Sequence, residues 1–93
     1  MENEVTDNKQ EDRFELALEG GQAAYVEYEE AGEGVLALTH TEVPAEFEGK
    51  GVGRALVKGA LEIVRREGLK IVPVCQFVSV YLRRHPEYQE LVA

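Results

Sequence analysis

The stretch Gly49-Lys50-Gly51-Val52-Gly53-Arg54 decides the reading of this chain. It follows a strand-like run, Val35-Leu36-Ala37-Leu38-Thr39-His40-Thr41-Glu42-Val43, and opens a helical pattern that ends near Glu67. Glycines at 49, 51 and 53 put no side chain between a ligand and the backbone N–H groups. The first turn of a helix has N–H donors without partners and a partial positive charge. A glycine loop at that point is an anion site, and pyrophosphate is its usual occupant. Two better-known phosphate loops are excluded by spacing. No Gly-x-x-x-x-Gly-Lys-Ser/Thr run is present, and the third glycine comes one residue too early for Gly-x-Gly-x-x-Gly.

Outward from the loop, the pattern before it is of period two. Arg13 to Glu19 puts Phe14, Leu16 and Leu18 on one face, and Gln22 to Glu30 opposes Ala24, Val26 and Tyr28 to Tyr25, Glu27 and Glu29. Gly20-Gly21 and Ala31-Gly32-Glu33-Gly34 turn the chain, so with Val35–Val43 these runs predict an antiparallel meander. Pro44 ends the third strand. After the loop, Val52, Ala55, Leu56, Ala60, Ile63 and Val64 form one apolar helical stripe, and Gly68 stands where a C-cap glycine belongs. Leu69–Cys75 reads as a strand, so strand, loop, helix and strand make a right-handed parallel crossover. Phe77–Leu82 reads as a second helix, which Pro86 stops or follows with a short last helix. Residues 1–12 hold five acids and few apolar side chains, and are expected to be a disordered tail ahead of one domain over 13–93.

A chain of 93 residues supports one modest core. It has no apolar run long enough to span a membrane and no secretory leader at its start, so the expected compartment is the cytoplasm. One cysteine and two distant histidines, His40 and His85, give no metal-ligand spacing. The net charge is −8, unevenly spread: residues 1–48 carry 14 acids against 2 bases, residues 49–93 carry 8 bases against 4 acids. The basic half holds the glycine loop and suits a polyanionic small molecule. The acidic half argues against nucleic acid as the main partner; it either attracts a cationic acceptor or only keeps the protein soluble.

The order of elements resembles the core of the GNAT acetyltransferase superfamily, an α/β (α+β) fold. The family loop, Arg/Gln-x-x-Gly-x-Gly/Ala, reads Glu48-Gly49-Lys50-Gly51-Val52-Gly53 here. More narrowly, the chain is similar to the short stand-alone, minimal N-acetyltransferase-like proteins. The matching segments are His40-Thr41-Glu42-Val43-Pro44, the glycine loop, Pro73-Val74-Cys75-Gln76-Phe77-Val78, and Tyr81-Leu82-Arg83-Arg84-His85-Pro86-Glu87-Tyr88. The resemblance spans residues 13–92.

That resemblance implies acetyl-CoA as cofactor. Its pyrophosphate is expected on the N–H groups of Gly51, Val52, Gly53 and Arg54, in a loop completed by Gly49 and Lys50. Its pantetheine arm is expected along Thr41, Glu42 and Val43, with the thioester toward Cys75. Glu48 departs from the family's Arg or Gln and is expected to point to solvent. The helices that help longer members hold an acceptor are not expected in these 93 residues. Cys75 is either a nucleophile that relays the acetyl group, with its pKa lowered by the second helix, or a small buried hydrophobe. His40 is either a base or a structural strand histidine. Tyr81 either protonates the leaving thiolate or is a core aromatic. The function implied is an N-acetyltransferase acting on an amine such as lysine; the alternative is a CoA- or acetyl-CoA-binding module without turnover. Monomer and homodimer both stay open.

Overall fold

A computed structural model describes residues 4–93. Four strands run antiparallel in sequence order: β1 (Val5–Asn8), β2 (Arg13–Ala17), β3 (Ala23–Gly32) and β4 (Val35–Glu42). Helix α1 (Val52–Arg66) then carries the chain across to β5 (Lys70–Pro73), which pairs parallel with β4. Helix α2 (Gln76–Arg84) and a 3-10 turn (Pro86–Leu91) follow. Val92 bridges Ile71 in parallel, so the chain end covers part of the outer edge of β5.

The strand alternation places one face of the sheet in the core. Phe14, Leu16, Ala24, Val26, Tyr28, Leu36, Leu38 and Ile71 are buried there together with the apolar stripes of α1 and α2 and with Tyr88 and Leu91. The other face carries Arg13, Glu15, Tyr25 and Glu27, none of them buried. Helix α1 ends in a Schellman cap: Gly68, at φ +70°, donates to Arg65, and the N–H of Leu69 donates to the Val64 carbonyl at 2.9 Å. Among the described residues no helix is long and apolar enough to cross a membrane.

The expected disordered tail is corrected over residues 5–12. Val5–Asn8 is a strand in register with Asn8↔Arg13 and Val5↔Leu16. Only Val5 of this strand is aliphatic, too weak a signal to read as a strand alone. It is held from outside: Val5 packs against Gly59 of α1, and the Tyr28 hydroxyl donates to Asp7 Oδ1 at 2.6 Å. Residues 1–3 of that tail lie outside the described residues.

A second feature has no counterpart in the alternation. Glu27 is in register with His40 and Tyr28 with Leu38, leaving Thr39 without a partner in a β-bulge. The bulge reverses the facing of every residue after it. Thr41, opposite buried Val26, points to the core side; His40, opposite Glu27, points to the open side.

Candidate functional site

The parallel pairing of β4 with β5 stops at Leu38↔Pro73. Past it, Cys75 donates its N–H to the Leu38 carbonyl at 2.8 Å, and the chain turns into α2. Strand β4 continues four residues further, to Glu42, without β5 beside it. A wedge therefore opens between the two strands, and the bulge at Thr39 sits at its apex. The N-termini of α1 and α2 both lie at this end of the sheet.

A cleft of about 840 Å³ runs from the glycine loop to the last turn of α2. Its loop wall is built by two left-handed glycines, Gly49 at φ +79° and Gly51 at φ +81°. Gly51 is the N-cap of α1 and has no capping side chain. The first helical bond is from Ala55 to the Gly51 carbonyl, so among the described residues the N–H groups of Val52, Gly53 and Arg54 have no backbone acceptor. These donors stand where the dipole of α1 is positive. Arg54 folds back over the loop: a Cβ on Gly51 would lie 3.2 Å from its Nη2.

Facing this wall is the first turn of α2. A Cβ on Gly53 would lie 2.6 Å from Cζ of Phe77, so the phenyl ring rests on the bare glycine backbone. Phe77 is 42% exposed and lines the cleft. Farther along the same face of α2 come Val80, Tyr81, Arg84 and His85. Tyr81 is largely buried, its ring stacked on His85 with centroids 4.1 Å apart. Burial raises the Tyr81 pKa, Glu87 and Glu62 add to the rise, and Arg54 opposes it, so the phenol stays protonated at neutral pH. Among the described residues its hydroxyl has no hydrogen-bond partner.

Cys75 is the N-cap of α2 and half-buried. Its Sγ lies 3.2 Å from Thr41 Oγ1. Burial alone pushes the thiol pKa up. The Thr41 hydroxyl and the N–H groups of Val78, Phe77 and Thr41 outweigh it, and the result lies below the ordinary thiol value. The N–H groups of α2 act on the sulfur by pointing at it, without closing a capping hydrogen bond.

Of the residues singled out in the sequence, Thr41, Val43, Gly49, Gly51, Val52, Gly53, Arg54 and Tyr81 line one cleft. Cys75 adjoins it through Thr41. Lys50 lies outside the lining, 6.0 Å from the Phe47 ring centroid. Glu48 is exposed and stands on the rim. His40 and Glu42 are both on the open face, joined by a hydrogen bond from His40 Nε2 to Glu42 Oε1 at 2.9 Å. Phe77 and His85 were not expected in the site; the helical spacing 77, 81, 84 was the signal that aligned Phe77 and Arg84 with Tyr81 on the cleft wall.

A family model of GCN5-related N-acetyl-transferases matches residues 13–91. Protein NATD1 of Mus musculus is 34% identical over 88 residues, covering 94% of this chain and 80% of that protein. Protein NATD1 of Gallus gallus is 33% identical, with 95% and 81% covered. A GCN5-like protein from Staphylococcus aureus, solved by NMR, superposes with a TM-score of 0.72 at 28% identity, over 97% of this chain and 87% of that one. With the loop, the wedge between parallel strands and these matches together, the chain belongs to the GCN5-related N-acetyltransferase family.

Proposed function

We propose that this protein is an acetyl-CoA-dependent N-acetyltransferase that moves an acetyl group to an amine. One observation carries the reading: three N–H donors without acceptors at the start of α1 face a cleft that leads to the unpaired edge of β4 and to Cys75. The residues fit the cofactor. The loop offers N–H donors with no side chain on Gly49, Gly51 or Gly53 to cover them, and Arg54 supplies a guanidinium over the loop. When bound, the cofactor supplies an activated acetyl group. The loop from Gly49 to Arg54 holds its diphosphate, and the free edge of Thr41–Val43 orients its arm by backbone hydrogen bonds.

Two routes for the acetyl group are open to this site. In the relay, the Cys75 thiolate attacks the acetyl carbonyl and the thiolate of CoA leaves, taking the proton of Tyr81. A neutral amine then attacks the acetylated Cys75, the Cys75 thiolate leaves, and the proton lost by the amine restores the Tyr81 phenol. In direct transfer, the amine attacks the acetyl carbonyl itself, the thiolate of CoA leaves with the proton of Tyr81, the amine's proton restores the phenol, and Thr41 and Cys75 only shape the site. The low thiol pKa supports the relay.

A second reading, binding of acetyl-CoA without turnover, is favoured by one observation. The groups acting on the Cys75 sulfur are a hydroxyl and backbone N–H groups, and His40 faces the other side of the sheet. Calorimetric titration with acetyl-CoA and CoA tests the cofactor, and one-to-one saturable binding is expected. Release of free CoA thiol in the presence of a panel of amines then separates the readings. Release above the rate of thioester hydrolysis supports transfer; tight binding with no release for any amine supports the binding module.

A further inference from the structure

We infer that the Arg84 guanidinium reads a second anionic group of the ligand, separate from its diphosphate; in a coenzyme A thioester that group is the 3′-phosphate. The inference rests on the cofactor reading above. It begins from the charges. The chain has 18 acids against 10 bases, so a cation has many carboxylates to choose from. Arg13 pairs with Glu15 at 2.6 Å, and Arg65 pairs with Glu62 and Glu90 at 3.4 and 3.2 Å. Arg54 and Arg84 both line the cleft, and among the described residues neither forms an ion pair with a carboxylate.

The two arginines answer to different positions. Arg54 lies over Gly51 and the free N–H groups, where a diphosphate is already well served. Arg84 is on the other helix, seven residues beyond the Phe77 that touches Gly53, or about 10 Å along the axis. A cation in the last turn of α2 is also favoured by the helix dipole. Arg83 satisfies that preference equally, yet it leans toward Ser79 Oγ at 3.5 Å and is absent from the cleft lining. What distinguishes Arg84 is its place on the cleft wall. A guanidinium meets a phosphate monoester with two parallel N–H donors, a geometry a surface lysine cannot reproduce.

The test is calorimetric titration of the wild type, Arg84→Ala and Arg83→Ala with CoA and with 3′-dephospho-CoA. Wild type is expected to prefer CoA by about tenfold, the effect of one charge-assisted hydrogen-bonded contact. Arg84→Ala is expected to lose that preference while binding 3′-dephospho-CoA within about twofold of wild type. Arg83→Ala is expected to keep it. Equal binding of both compounds by wild type, or an unchanged preference in Arg84→Ala, overturns the assignment of Arg84 alone. No binding of either compound overturns the cofactor reading and this inference with it.

Discussion

Gly53 carries more information than any other single residue of the loop. Its backbone has an ordinary helical conformation, so an alanine there is locally welcome and adds up to about 1 kcal/mol of helix propensity. What the added Cβ meets is the end of the Phe77 ring, which is 42% exposed and free to swing. Gly53→Ala is therefore expected to fold with unchanged or slightly higher stability in urea denaturation. Its affinity for acetyl-CoA is expected to fall at least about tenfold, because the methyl group and displaced ring cover the N–H donors. Loss of stability in step with affinity would show that Gly53 is needed for packing alone. Thr41 makes a sharper chemical prediction. Its hydroxyl is the largest of the groups that lower the Cys75 pKa against the opposing effect of burial. The thiolate is the reactive form, so alkylation by iodoacetamide rises with pH through the folded-state pKa, below the ordinary thiol value. Thr41→Val removes the donor and leaves burial, so the midpoint moves to higher pH. The sign for stability follows: a depressed thiol pKa stabilises the fold above the ordinary thiol value, and that contribution is lost as pH falls through the folded pKa. An alkylation midpoint unmoved by Thr41→Val would assign the low pKa to the N–H groups of α2.

At the scale of elements, β1 shows how a segment with little pattern of its own is made a strand by its neighbours. Its docking point is Gly59, in the middle of α1, where a Cβ would stand 2.6 Å from Cβ of Val5. Both atoms belong to parts of the fold that cannot swing aside as Phe77 can. Gly59→Ala is expected to destabilise the protein by about 1–3 kcal/mol despite its better helix propensity, since overpacking shifts a strand. Val5→Ala removes the opposing methyl groups but keeps the Cβ, so it is expected to recover only part of that loss in the double variant. Additive losses in a denaturation cycle would refute this contact as the cause. The bulge in β4 acts at the same scale. Strict alternation from Leu36 and Leu38 extends the core-facing set to His40 and Glu42. One extra residue at Thr39 transfers that facing to Thr41 and Val43, the two that line the cleft. His40 was legible as a strand residue near the wedge, but its facing was not.

For the whole molecule, ligand and fold are linked. A ligand that binds only the folded state stabilises it by about 2.7 kcal/mol at a hundredfold excess over its dissociation constant. Acetyl-CoA is accordingly expected to raise Tm in differential scanning fluorimetry. Because Arg54 and Arg84 are exposed, the rise is expected to shrink between low and high salt as their attraction is screened. An unchanged rise would place the binding energy in the apolar part of the cleft and in the backbone donors. The uneven charge was readable from composition, since the basic half of the chain contains both walls of the cleft and the acidic half contains most of the sheet.

The order of strands β2 to β5, the two helices, the glycine loop and the family resemblance were determined by the sequence itself. They rest on local period, turn residues and helix-end chemistry, which act over a few neighbouring positions. The strand at residues 5–8, the facing of Thr41 and His40 and the seat of Phe77 on Gly53 were decided only in the tertiary structure. Each depends on a contact between residues distant in sequence: Val5 with Gly59, Asp7 with Tyr28, Glu27 with His40, Gly53 with Phe77. A local pattern records which residues an element wants buried. It does not record an inserted bulge residue, or which bare stretch of backbone another element's side chain will come to rest on.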